Sequence, residues 1–149
     1  MKRKETRKVG ATSAEHLGAA SEEGIRAMAE AGVVPVLLPT TSVFLRLERK
    51  PDARGMIEAG CAVALASDFN PGSCPCLDPL LILRLGCLQL RMTFEEAFTA
   101  MTLHAARSLG HEDLGHLQVG ARAEILLWDL ADPLELVYWV GEPFRPRRA

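Results

Sequence analysis

With 149 residues, 48% of them hydrophobic and 24% charged, the chain has the composition of one folded domain, or of part of a larger one, which excludes a disordered or fibrous protein. A formal charge of -2 offers no basic field for nucleic acid, and no apolar run approaches the roughly 18 residues of a membrane span. The two cationic ends, Lys2, Arg3, Lys4, Arg7 and Lys8 at one and Arg145, Arg147 and Arg148 at the other, read as solvated tails.

In chain order, strand-like and helix-like pieces alternate, which is the pattern of βαβ units and predicts an α/β fold with a parallel sheet. Residues 9–13 form a short candidate strand just before His16. Ser21 caps a helix whose first turn carries Glu22 and Glu23, where acids favour the positive end of the helix dipole, and Gly32 closes it. A buried strand follows over 33–38, ended by Pro39-Thr40-Thr41, then a loop or short helix over 45–50 and a helix over 52–59 closed by Gly60. Residues 62–66, small or branched and apolar between Gly60 and Pro71, predict a second buried strand. A strongly apolar helix spans 79–91. Thr93 and Glu96 have the spacing of a capping box for the next helix, and a short helix restarts at Thr102 and stops at Gly110. This is the grammar of a β/α barrel. The character then changes: 115–120 reads as a tight turn between short strands and 124–129 as an apolar strand. The boundary falls between Gly110 and Leu114, dividing the chain into 1–112 and a small β-structured unit over 113–149.

The stretch Ser67-Asp68-Phe69-Asn70-Pro71-Gly72 carries the chemistry. It lies just past a predicted parallel strand, and in α/β barrels the residues beyond strand C-termini do the catalysis. Asp68 stands where a metal ligand or general base would stand. The competing reading is that Asp68 and Asn70 only shape an Asx-type turn before a proline. His16 occupies the equivalent position after the first strand, and an imidazole there can bind a metal, shuttle a proton or stabilise an oxyanion. His104 on a helix, and His111 and His116 in polar turns, are assigned to structure or solvent. Cys61, Cys74, Cys76 and Cys87 lack the paired spacing of a zinc site, since Cys74-Pro75-Cys76 has no second pair downstream. With no secretory h-region, the cysteines point to a reducing, cytoplasmic setting.

The run from Ser67 to Ser73, with the Leu/Cys-rich helix after it, resembles the imidazolonepropionases, amidohydrolase-superfamily enzymes of histidine degradation. Ala14-Glu15-His16-Leu17 resembles that family's strand-six histidine motif, and Leu37-Leu38-Pro39-Thr40-Thr41 the end of its strand seven. Gly115-x-Leu117-x-x-Gly120-x-x-Ala123-Glu124 is similar to the superfamily's return into its small β-sandwich. The resemblance covers the chain from about Gly10 to Tyr138. It implies the C-terminal part of a TIM (β/α)8 barrel, about strands six to eight, plus part of a β-sandwich. It further implies Asp68 as metal ligand and proton acceptor for the hydrolytic water, and His16 as polariser of a scissile lactam carbonyl. Asn70, Gly72 and Ser73 would contact the substrate, the last two through backbone N–H groups. The implied cofactor is one zinc or iron ion, and the implied reaction converts 4-imidazolone-5-propanoate to N-formimidoyl-L-glutamate.

The family's metal site also draws on a His-x-His pair at strand one and a histidine at strand five, and neither occurs in this sequence. The expectation is therefore a C-terminal portion, inactive and poorly soluble alone, that associates with a missing N-terminal half or forms homo-oligomers. Two other readings stay open: a non-catalytic barrel remnant acting only through association, and a different amidohydrolase such as a nucleobase deaminase.

Overall fold

Three parallel strands organise the protein, seen here in a computed structural model that describes residues 10–148. Strand β1 (Ser13–Glu15) pairs with β2 (Val34–Leu37), and β2 pairs with β3 (Ala64–Leu65), so chain order and sheet order coincide. The register sets Glu15 beside Val36, Val36 beside Ala64 and Leu37 beside Leu65. Strand β2 is buried along its whole length, which explains why its sequence has no polar face. Alternate side chains go to opposite sides: Val33 and Leu37 join the main core with the helices, while Val34, Val36 and Leu38 meet Ala64 in a second, smaller cluster.

The crossovers form where the sequence provides caps. Ser21 Oγ accepts from the Gly24 N–H at 3.2 Å and opens α1 (Glu22–Ala31), which buries Ile25 and Met28 before Gly32 turns left-handed at φ 65°. After β2, Pro39 does not merely end the strand; it occupies the first turn of a short helix, α2 (Pro39–Phe44), where a missing N–H costs nothing. Residues 45–50 then form a loop. Asp52 caps α3 (Ala53–Glu58) by accepting from the Gly55 N–H at 3.0 Å.

Two predicted strands are displaced or shortened. The first begins at Ser13 rather than at Val9, which lies outside the described residues. The second keeps only Ala64–Leu65 of 62–66, because the Val63 N–H turns back to the Cys61 carbonyl and the Val63 carbonyl meets His104 Nδ1 at 2.9 Å, leaving neither for the ladder.

Three further helices cover the sheet. α4 (Pro79–Leu90) starts at Asp78, which accepts from the Leu80 N–H, and its mostly apolar surface suits burial. Gly86 lets it sit close: a Cβ there would lie 2.7 Å from Leu65 Cδ1 on β3. α5 (Phe94–Met101) has the complete Thr93/Glu96 capping box, and α6 (Leu103–Ser108) follows directly. Arg54 from α3 forks onto the same Glu96 carboxylate at 2.7 and 2.9 Å, tying the two helix starts together.

The C-terminal segment differs from expectation. No strands flank the turn over 115–120, and the predicted strand over 124–129 reduces to β4 (Leu126–Leu127). Its antiparallel partner is β5 (Arg147–Arg148), from a stretch that charge alone assigned to a solvated tail. Between them, α7 (Glu135–Tyr138) presents Leu136 to the main core, with Trp128, Leu130 and Phe144 packed against it. Arg84, only 2% exposed on α4, fastens this segment by donating to the Leu136 carbonyl at 3.0 Å and the Glu142 carbonyl at 3.1 Å.

Candidate active site

Because the strands are parallel, the segments after β1, β2 and β3 all leave the same edge of the sheet. His16, Thr40 with Thr41, and Asp68 follow those three strands in turn. The register puts His16 level with Leu37 and Leu65, so it stands at the edge itself and Asp68 three residues beyond it. His16 is exposed, while Leu17 next to it is buried in the main core. That split follows from two successive left-handed residues, His16 at φ 67° and Leu17 at φ 55°, which throw the chain off the sheet. Asp68 is left-handed as well, at φ 55°. Non-glycine residues in this region store strain, and such strain clusters at functional sites.

The Asp68 carboxylate is fixed from the first turn of α2, just past β2. Thr41 Oγ1 donates to Asp68 Oδ2 at 3.1 Å, and Thr40 Oγ1 donates to the carbonyl of Ser67 at 3.2 Å. Both threonines are buried, at 0% and 1% exposure, although Asp68 itself is half-buried. In the sequence these threonines mark only a strand end; two consecutive hydroxyls in an otherwise apolar buried run are the signal of a further role.

Asn70 is the hub of the loop. Its Oδ1 accepts from the Gly72 N–H at 2.9 Å and the Ser73 N–H at 2.8 Å, and its Nδ2 donates to the Asp68 carbonyl at 2.7 Å and to Ser73 Oγ at 2.8 Å. The Asx-turn geometry is thus present, and it coexists with an Asp68 carboxylate held by another element. The Gly72 and Ser73 N–H groups point inward to Asn70 and would have to exchange that partner for a ligand.

Of the other histidines, two meet backbone carbonyls. His104 meets the Val63 carbonyl, and His116 Nε2 meets the Glu112 carbonyl at 2.9 Å. His111 and His116 line a cavity of about 630 Å³ with Thr12, Val34 and Ala62, at the opposite, N-terminal edge of the sheet. This cavity therefore lies away from Asp68. All four cysteines are free, and burial pushes the Cys61 and Cys87 thiols up, which disfavours the thiolate a metal needs.

A catalytic metal requires three or more protein ligands. Among the described residues no group of three or more His, Cys, Asp or Glu side chains converges to hold one. Asp68 offers a single carboxylate, so these residues alone do not fit a metal ion. Their own chemistry is that of a positioned carboxylate, able to take a proton, on a strand edge with one imidazole.

This combination of three parallel strands, two helical crossovers and a strand-end aspartate has counterparts among known proteins. A profile of the Amidohydrolase family matches residues 2–137, and the chain belongs to that family. It is 50% identical over 135 residues to an imidazolonepropionase of Geobacillus sp. (strain WCH70), an alignment covering 89% of this chain and 31% of that relative. It is 48% identical over 130 residues to the imidazolonepropionase of Alkaliphilus oremlandii, covering 87% of this chain and 31% of the relative. The chain thus spans about a third of the length of the curated relatives it matches. In three dimensions it superposes on an adenosine deaminase from Xanthomonas campestris with bound zinc, at a TM-score of 0.77 and 25% identity over 85% of this chain and 32% of that one. An atrazine chlorohydrolase from Arthrobacter aurescens, complexed with zinc, gives a TM-score of 0.77 at 24% identity over 87% of this chain and 33% of that one, which speaks for the fold alone. An amidohydrolase-type α/β fold follows, and both of these solved neighbours were crystallised with zinc.

Proposed function

We propose that the chain is the C-terminal part of an imidazolonepropionase-type hydrolase. In this reading β1, β2 and β3 are three consecutive strands, about the sixth to eighth, of a (β/α)8 barrel, and 113–149 belongs to a small β-sandwich. The proposed reaction is hydrolytic opening of 4-imidazolone-5-propanoate to N-formimidoyl-L-glutamate, in cytoplasmic histidine degradation. The observation that carries the reading is the Asp68 carboxylate, held at the C-terminal edge of a parallel sheet by Thr41, in a chain 50% identical to an imidazolonepropionase. Asp68 takes a proton from the attacking water and returns it to the leaving ring nitrogen, a transfer suited to a carboxylate within hydrogen-bond reach. His16 donates to the ring carbonyl as negative charge develops there. Asn70 keeps the loop in shape, and the Gly72 and Ser73 N–H groups turn to the substrate once it displaces their contact with Asn70. The zinc or iron ion of the family would find one ligand here, Asp68; the rest must come from another polypeptide segment.

The test supplies that segment. The first two thirds of the Geobacillus relative, co-expressed with this chain, is expected to form a complex that consumes the imidazolone, followed by its ultraviolet absorbance. Loss of turnover in Asp68→Asn within an intact complex supports the assignment. A stable complex with no hydrolysis would sink it in favour of a barrel remnant that acts by association only.

A further inference from the structure

The geometry points to Thr41 as a positioning residue for Asp68, with Thr40 as its partner: two buried hydroxyls in the first turn of α2, just past β2, of which Thr41 holds the loop carboxylate after β3 and Thr40 the Ser67 carbonyl beside it. The inference rests on the catalytic reading of Asp68 and adds how that carboxylate is aimed. Asp68 has a left-handed backbone at φ 55° and lies in a loop whose other side-chain hydrogen bonds are local, made by Ser67, Asn70 and Ser73 to residues 67–74. None of those local bonds reaches the Asp68 carboxylate. The hydrogen bond to it comes from 27 residues earlier in the chain, Thr41 Oγ1 to Asp68 Oδ2 at 3.1 Å.

The two threonines divide the work. Thr41 Oγ1 also lies 3.5 Å from the Ser67 carbonyl, but one hydroxyl has one proton, and the shorter contact is to the charged oxygen. Thr40 satisfies the Ser67 carbonyl instead, at 3.2 Å. Both side chains are closed off from solvent, so neither hydroxyl can exchange its partner for bulk water. Pro39 at the first turn of α2 sets the backbone of the pair, and the Ala66 N–H to Leu37 carbonyl bond at 3.0 Å keeps β3 in register beside it. The carboxylate is aimed from the helix that follows one strand and carried on the loop that follows the next, so the site depends on the β2–β3 register rather than on the Asp68 loop alone.

The experiment needs no turnover. In the full chain labelled with 13C and 15N at aspartate, in solution or as a sedimented solid, the three-bond couplings from Asp68 N and carbonyl C to Cγ report its χ1 rotamer. A single rotamer is expected in the wild type. Thr41→Val, nearly isosteric, is expected to lower the population of that rotamer relative to the others about tenfold, the worth of one hydrogen bond to a charged group. Thr41→Ser, which keeps the hydroxyl, is expected to restore it. Unchanged couplings in a folded Thr41→Val protein overturn the inference, and so do rotamer-averaged couplings in the wild type, a result that stands even where the valine variant does not fold. A fixed Asp68 beside failed complementation leaves the clamp and overturns the hydrolase reading; an averaged Asp68 beside successful complementation does the reverse.

Discussion

Asp68 gathers most of what is unusual at the level of single residues. A left-handed backbone costs an L-residue roughly 1–2 kcal/mol, and an aspartate less than a branched residue, because its short polar side chain tolerates that conformation. In the complemented hydrolase, Asp68→Asn is expected to lower kcat on the order of 10² to 10⁴-fold, the contribution of a positioned proton acceptor, with KM nearly unchanged; steady-state kinetics check this. A second residue-scale prediction concerns packing. Gly86→Ala puts a Cβ 2.7 Å from Leu65 Cδ1 and 3.4 Å from Ala97 Cβ, so α4 must shift or Leu65 must leave its rotamer. Roughly 1–3 kcal/mol of destabilisation is expected from such overpacking, read as a lower urea midpoint.

Helix starts are where single elements were most legible. Ser21 and Thr93 cap through their side chains as the sequence predicts, and Asp52 and Asp78, two caps not read from the sequence, do the same. Thr93→Ala is expected to cost about 1 kcal/mol by freeing the Glu96 N–H, measured by chemical denaturation. The capping box has a second function that spacing does not reveal, since its glutamate also receives Arg54 from α3. The Arg54 guanidinium, with the Thr93 N–H, holds the Glu96 carboxyl below the usual glutamate range. A carboxyl lowered by folding stabilises the native state above its unfolded pKa and loses that contribution as pH falls through the folded value. Melting temperature is therefore expected to drop on acidification through the carboxylate range, and Glu96→Gln to flatten that drop. Arg54 is raised by the same pair and stays charged throughout, so it adds no slope there. Strands were less legible than helices. Residues 62–66 have the composition of a five-residue strand, yet His104 and a local turn at Cys61 claim the backbone groups around Val63, and a contact from 41 residues away leaves no mark on that stretch.

At the scale of the whole molecule, β1 and β3 each have an edge that no strand among the described residues covers, and Val43, Phe44, Leu45, Tyr138, Trp139 and Val140 stand exposed. Unpaired edges and exposed apolar side chains favour association. The chain alone is expected to self-associate, giving a light-scattering mass above that of a monomer, and to form a defined complex when the first two thirds of the Geobacillus relative is supplied; a monodisperse, cooperatively melting monomer would contradict this. By itself the sequence determined the order of the βα crossovers, the helix caps and the presence of a candidate aspartate and histidine after two of the strands. These are local properties, set by side-chain periodicity, by hydrogen bonds within one turn and by residues adjacent in the chain. The pairing of Leu126–Leu127 with Arg147–Arg148, the seating of Leu136 beneath Arg84 and the grip of Thr41 on Asp68 were decided only by the tertiary structure. Each joins groups 20 or more residues apart, and which distant donor satisfies a buried carbonyl or carboxylate depends on the packed sheet and not on the sequence around it.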